Sequence, residues 1–137
     1  IKAEKKFKLN SLNTYKNFQN SAEKNKDDLI RFLLDCKKKG LKVAAYGAAA
    51  KGNTLLNFAG IRKDLISFVC DSAPTKQSKF LPGSRIPIYP PKHLLKNKPD
   101  YLLILPWNIA DEVIAQLKIL KKTKTKFFIA IPKIKIF

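Results

Sequence analysis

The sequence VAAYGAAAKGNT, residues 43–54, decides the fold class of this chain. The largely apolar run over residues 41–46 is typical of a strand that is buried on both faces. Gly47 ends that run, and the pattern after it predicts a helix over about residues 52–58. A buried strand that turns at a glycine into a helix is the phosphate-binding unit of Rossmann-like folds. Residues 47–54 are therefore a candidate anion-binding loop.

Apolar runs alternate with helical patterns along the rest of the chain. Four further strands are predicted, over residues 65–70, 86–88, 101–105 and 126–131. Such alternation is typical of βαβ units, whose right-handed crossovers place helices on both faces of a parallel sheet. We therefore expect an α/β fold: a Rossmann-like three-layer sandwich with a mainly parallel sheet of about five strands, in the order 3-2-1-4-5. Residues 134–137 form either a sixth strand or a tail.

The helices are predicted from the spacing of apolar residues and from residues that are typical of helix ends. A long leading helix, or two, is expected over residues 12–39. Asn108 precedes two acidic residues and is a plausible cap. The helix that it would begin is expected to run to about Leu120, before a turn at residues 121–125.

The chain has 137 residues, the usual length of one domain. We expect a single domain, in which an N-terminal helical segment (1–40) packs on a Rossmann-like part (41–137). The chain begins with Ile1 and contains no Met, which suggests a fragment of a longer protein. It has neither a membrane-spanning apolar stretch nor a signal peptide, so a cytoplasmic location is expected.

Residues of the loop are suited to anion binding. Gly47 allows a tight turn, small side chains leave the backbone open, and the helix that follows presents unpaired N–H groups. The candidate binding residues are Gly47, Ala48, Ala50, Lys51, Gly52, Asn53 and Thr54. The three-glycine dinucleotide pattern is not matched, because only Gly47 and Gly52 are present, and the P-loop is not matched, because Lys51 precedes Gly52. The alternative is that the small residues only allow close packing of helix on strand.

Further candidates lie where neighbouring strands end. Asp71 follows the second strand and either accepts hydrogen bonds from a ribose or caps a turn. Trp107 and Asn108 follow the fourth strand, at the point where the strand order reverses and ligands bind. Trp107 is suited to stacking on a base or sugar, and Asn108 to hydrogen bonding; the alternative is a partly buried Trp and a helix-capping Asn.

Weaker candidates lie in the loop after the second strand. Lys79, Phe80 and Arg85 are suited to closing over a nucleotide, although such residues are more often only solvated. His93 has no nearby partner and is interpreted as a helix-face residue rather than a base. We expect no catalytic residue and no metal site, and Cys36 and Cys70 as buried thiols.

The net charge of +18 raises the possibility of nucleic acid or a membrane surface as a partner. The positive charge is carried almost wholly by Lys, with only three arginines (Arg31, Arg62 and Arg85), and the lysines are spread along the chain. Arg is the preferred reader of phosphates and base edges. Binding to nucleic acid is therefore disfavoured, and a membrane partner is not expected.

Several separated motifs resemble the C-terminal domain of bacterial sugar C-methyltransferases, which depend on S-adenosylmethionine. They cover residues 43–57, 71–77, 80–83, 86–88 and 103–108 in the same order, and the likeness runs nearly end to end. The chain departs from the family in its high Lys content.

The resemblance implies a Rossmann-like domain that binds a nucleotide-sugar acceptor. S-adenosylmethionine would then be bound by a methyltransferase domain of the same polypeptide, where the catalytic groups would also lie. Two alternatives remain open at this stage: a stand-alone nucleotide- or coenzyme-binding Rossmann module, and a basic nucleic-acid-binding protein.

Overall fold

The structure, a computed structural model, describes residues 2–117, 120 and 123–137. Its helices are α1 (Lys2–Lys6), α2 (Leu12–Lys38), α3 (Ala50–Phe58), α4 (Lys92–Asn97) and α5 (Ala110–Gln116), with a 3₁₀ turn at Trp107–Ile109. Its strands are β1 (Val43–Tyr46), β2 (Val69–Cys70), β3 (Ile88–Tyr89), β4 (Tyr101–Ile104), β5 (Lys126–Ile129) and β6 (Lys135–Ile136).

The sheet confirms the predicted fold class and adds one strand to it. The order is β3-β2-β1-β4-β5-β6, and the first five strands are parallel, as predicted. β6 pairs antiparallel with β5, so the alternative of a sixth strand at residues 134–137 is the correct one. The strand order therefore reverses between β1 and β4, where β1 pairs with β2 on one side and β4 on the other.

Both faces of β1 are buried, which explains why this strand has no charged residue. Val43 and Ala45 belong to a core cluster with α2 and α3. Ala44 and Tyr46 belong to a second cluster with α4 and α5. Successive side chains of a strand point to opposite faces, so these two clusters are the two interfaces of a three-layer sandwich.

Some predicted elements are longer than the observed ones, because residues at their ends form turns. β2 contains only Val69 and Cys70, because residues 63–66 form a turn before it. The leading helix is a single α2, preceded by the short α1. The last predicted helix was expected to run to about Leu120 and to be followed by a turn at residues 121–125. Four of these positions lie outside the described residues: 118, 119, 121 and 122.

Cys36 and Cys70 are buried free thiols, as predicted. Burial raises the pKa of the Cys70 thiol from 9.0 to about 12. Among the described residues, none of the helices combines the length and apolar character needed to cross a bilayer.

We expect Cys70 to resist alkylation in the folded protein. With a pKa of about 12 rather than 9.0, its thiolate is roughly a thousandfold scarcer at pH 8.5 than in the unfolded chain. Because the folded pKa is the higher one, this thiol also lowers stability as the pH rises from about 9 towards 12. Peptide mapping after iodoacetamide treatment, with and without urea, measures the difference. Equal modification rates in the two conditions would show that Cys70 is accessible.

Candidate functional site

The loop between β1 and α3 is held against the end of β4. Gly47 has φ +91° and donates its N–H to the Cys70 carbonyl over 2.8 Å. A Cβ at Gly47 would lie 2.6 Å from Pro106 Cδ. Position 47 therefore needs glycine for two reasons, the positive φ and the close approach of Pro106. Pro106 was not among the residues predicted for the site.

Asp71 fixes the same loop from the end of β2. Its Oδ2 accepts the Ala48 N–H at 2.7 Å, and its Oδ1 accepts the Ala73 N–H at 2.8 Å. The side chain is buried, and Lys76 Nζ lies 3.3 Å from Oδ2. This geometry is that of a turn residue, one of the two predicted roles. A ribose hydroxyl would have to share the carboxylate with these donors.

The first turn of α3 has no side-chain cap. The residue before it, Ala49, is extended (φ −98°, ψ 153°) and makes no side-chain cap bond. The leading N–H groups of a helix lack intrahelical partners, and the helix dipole adds partial positive charge there. Because α3 follows β1 directly, these donors lie at the carboxyl edge of the sheet. Ala48 is half-buried and Ala50 is exposed, so neither adds a bulky side chain beside them.

Gly52 allows close packing of α3 on the residue after β4, which was the alternative to ligand binding at this position. It is buried, and a Cβ there would lie 2.6 Å from Leu105 Cβ. Asn53 has a buried Oδ1 that has no hydrogen-bond partner among the described residues. The Thr54 hydroxyl donates to the Ala50 carbonyl over 3.1 Å, within α3. Gly52 and Thr54 therefore support the helix more directly than they present donors to a ligand.

Lys51, Trp107 and Asn108 are brought together, as their places at the ends of β1 and β4 predict. Lys51 Nζ donates to Asn108 Oδ1 over 2.9 Å and lies 5.4 Å from the centre of the Trp107 ring. Lys51 and Asn108 are exposed, and Trp107 is half-buried. The interpretation of Asn108 as a helix cap is wrong: Ile109 is the residue before α5, and no side chain caps that helix.

The loop that carries the weaker candidates contacts the C-terminal part of α3 and the residues after it through its tip. Asn57 Nδ2 donates to the Pro82 carbonyl over 3.0 Å, and Arg62 donates to the Gly83 carbonyl. The loop that carries Lys79, Phe80 and Arg85 therefore has its tip at the C-terminal end of α3, the end remote from Lys51. Phe80 is 65% exposed, and its backbone bridges to Pro87.

His93 lies on α4, in agreement with its interpretation as a helix-face residue, and it packs against aromatic rings. Its ring stacks on Tyr89 with centroids 4.0 Å apart and meets Phe68 edge to face at 4.8 Å. Burial, and then the charge of Lys96, lowers the pKa of His93. Within the described residues, no group of His, Cys, Asp and Glu is arranged to hold a metal ion.

Two cavities bear on where a ligand can bind. One of about 210 Å³ adjoins the site and is lined by Trp107, Asn108, Glu112, Lys135 and other residues at the ends of β4 and β5. The other, of about 460 Å³, includes Lys42 and Lys63 and lies at the amino edge of the sheet, opposite Gly47. Ligands of open α/β sheets bind at the carboxyl edge, which favours the first location.

Comparison with known proteins agrees with this architecture. A family model described as the C-methyltransferase C-terminal domain matches residues 1–132. The chain is also 36% identical, over 118 residues, to the C-methyltransferase NovU of Streptomyces niveus. That match covers 86% of this chain but only 28% of NovU. The chain therefore belongs to the family of C-methyltransferase C-terminal domains.

Proposed function

We propose that this domain binds the nucleotide-sugar acceptor of an S-adenosylmethionine-dependent sugar C-methyltransferase, while the preceding part of the same polypeptide carries out methyl transfer. The observation that carries the proposal is the position of Lys51. Its ammonium group lies at the uncapped start of α3 and is oriented by Asn108 Oδ1, 2.9 Å away.

A diphosphate group matches the donors at this edge. The first-turn N–H groups of α3 and the Lys51 ammonium are hydrogen-bond donors and carry positive charge. A helix start favours anions without recognising a base, so additional contacts must select the nucleotide. The Trp107 ring, half-buried beside Lys51, offers an aromatic face for a base or sugar.

S-adenosylmethionine itself does not fit this site. Its sulfonium is a cation and would be repelled by Lys51 and by the positive end of α3. The donors at this edge therefore match an anionic acceptor better than they match the methyl donor.

Methylation at carbon also needs a base, because the carbon must lose a proton before it can attack the methyl group. Asp71 is buried and hydrogen-bonded, and His93 is packed between aromatic rings. Both side chains are therefore held in structural contacts. We propose that the present domain holds the acceptor and that the preceding domain supplies the base.

We expect Lys51→Ala to weaken the binding of a nucleoside diphosphate about tenfold, since one exposed charge-assisted contact is worth about 1.4 kcal/mol. Isothermal titration of the chain with dTDP, a dTDP-sugar and S-adenosylmethionine measures this. Lys63→Ala removes the same charge at the amino edge of the sheet and is the matched control, with unchanged affinity expected.

Two results would overturn the proposal. S-adenosylmethionine that binds more tightly than every nucleotide tested would reassign the site to the methyl donor. Equal affinity losses in the two lysine variants would show that general charge, and not the α3 site, attracts the nucleotide. A random DNA duplex in the same titration separates this case from nucleic-acid binding, which falls steeply with salt.

A further inference from the structure

The N-terminal half of α2 carries an apolar surface that the other described residues leave exposed. Leu12, Tyr15 and Phe18 are 70%, 56% and 73% exposed. The buried residues of α2 are Leu29, Leu33 and Cys36, all in its C-terminal half. A helix of 27 residues is about 40 Å long, so α2 extends well beyond the part that packs on the sheet.

The exposed and buried residues of α2 occupy the same side of the helix. At 100° per residue, Leu12, Tyr15 and Phe18 fall in one sector of about 120°, and Leu29, Leu33 and Cys36 fall within that same sector. The side that packs against the sheet thus continues, in phase, as the exposed apolar stripe. Such a stripe on a helix is typical of a surface that faces a core.

We infer that the stripe formed by Leu12, Tyr15 and Phe18 is the docking surface for the domain that precedes this one in the same polypeptide. The family match spans residues 1–132, so the stripe is part of the C-terminal domain. The chain covers only 28% of NovU, so most of such a protein lies outside this domain. The stripe lies near the start of the domain, so a domain that preceded it in the same polypeptide would connect close to the stripe.

The covalent connection favours this occupant over a second copy of the chain. A tethered partner is present at an effective concentration that can reach the millimolar range. A surface this close to the connection is reached by the preceding domain without a long linker. The inferred partner surface is apolar, because three large hydrophobic side chains have to be covered.

Site-specific photocross-linking in the full-length polypeptide tests the inference. A photoreactive phenylalanine analogue replaces Tyr15 or Phe18 in turn, and Asn17, on the opposite side of α2, is the matched control position. We expect the analogue at positions 15 and 18 to cross-link to a peptide that precedes Ile1, and this product to be lost at position 17. Mass spectrometry of the digested monomer band identifies the peptide.

Two outcomes would overturn the inference. Cross-links between two polypeptides, in a band of doubled mass, would assign the stripe to self-association. Equal yields at positions 15, 17 and 18 would show that the stripe is simply solvated. Neither outcome depends on nucleotide binding at Lys51, so this test can fail while the proposed function stands.

Discussion

Replacing Gly47 with alanine is expected to lower the free energy of unfolding by about 3 kcal/mol. Part of the loss is the strain of a side chain at φ +91°, and part is the contact of the new Cβ with Pro106 Cδ at 2.6 Å. Urea denaturation of the purified chain measures the change. Because the clash lies between the residues that follow β1 and β4, it is also expected to displace the loop that leads to Lys51.

Gly60 provides the matched control for this prediction. It also has a positive φ, of +64°, but a Cβ there meets nothing within 4 Å. Gly60→Ala is therefore expected to cost only about 1 kcal/mol, the backbone part. In a Pro106→Ala background, which removes Cγ and Cδ, the cost of Gly47→Ala should fall towards that value. An undiminished cost in that background would show that Pro106 is not the cause.

Asp71→Ala is expected to destabilise the chain by a similar amount, about 3 kcal/mol, because two backbone N–H groups lose a charged acceptor. Those donors are Ala48 at 2.7 Å and Ala73 at 2.8 Å. The contact with Lys76 adds little, since that lysine is 44% exposed. Urea denaturation without any ligand is the appropriate measurement, because the expected effect lies in the fold.

Two further variants make the test of Asp71 specific. Asp71→Asn keeps one carbonyl acceptor and should lose roughly half as much stability, because its NH₂ group cannot accept the second N–H. Asp64→Ala removes an exposed carboxylate that pairs with Lys37 and should cost under about 0.5 kcal/mol. Unchanged stability in Asp71→Ala, together with lost nucleotide affinity, would instead establish Asp71 as a ribose-binding residue.

The fold was predictable because its signals are local and repeated. Residues 43–46 form a continuous apolar run, and all four are buried in the structure. Such a run is typical of a strand that lies between two layers of helices. The ends of the elements were less predictable. Leu65 and Ile66 look like strand residues, but they lie in the turn before β2 and reach the core from there.

The candidate site likewise has a part that the sequence predicts and a part that it does not. The proximity of Lys51 to Trp107 and Asn108 follows from the strand order alone. Strand order also places this loop beside Pro106, but it does not specify how closely Gly47 approaches that residue, because a distance between two loops has no periodic signal in the sequence. Asn108 was misread as a cap because its acidic neighbours resemble a helix start, whereas its side chain accepts a hydrogen bond from Lys51.

The short sixth strand has a consequence for association between copies of the chain. Within the described residues, one edge of the sheet is β6, two residues long and carrying Lys135. The other is β3, bounded by Pro87 and Pro90, whose Ile88 already exchanges backbone hydrogen bonds with Ser78 and Lys79. Short strands, lysines and prolines all hinder the addition of a further strand. Backbone pairing between sheets is thus blocked at both edges, so any assembly of this domain has to use side-chain surfaces.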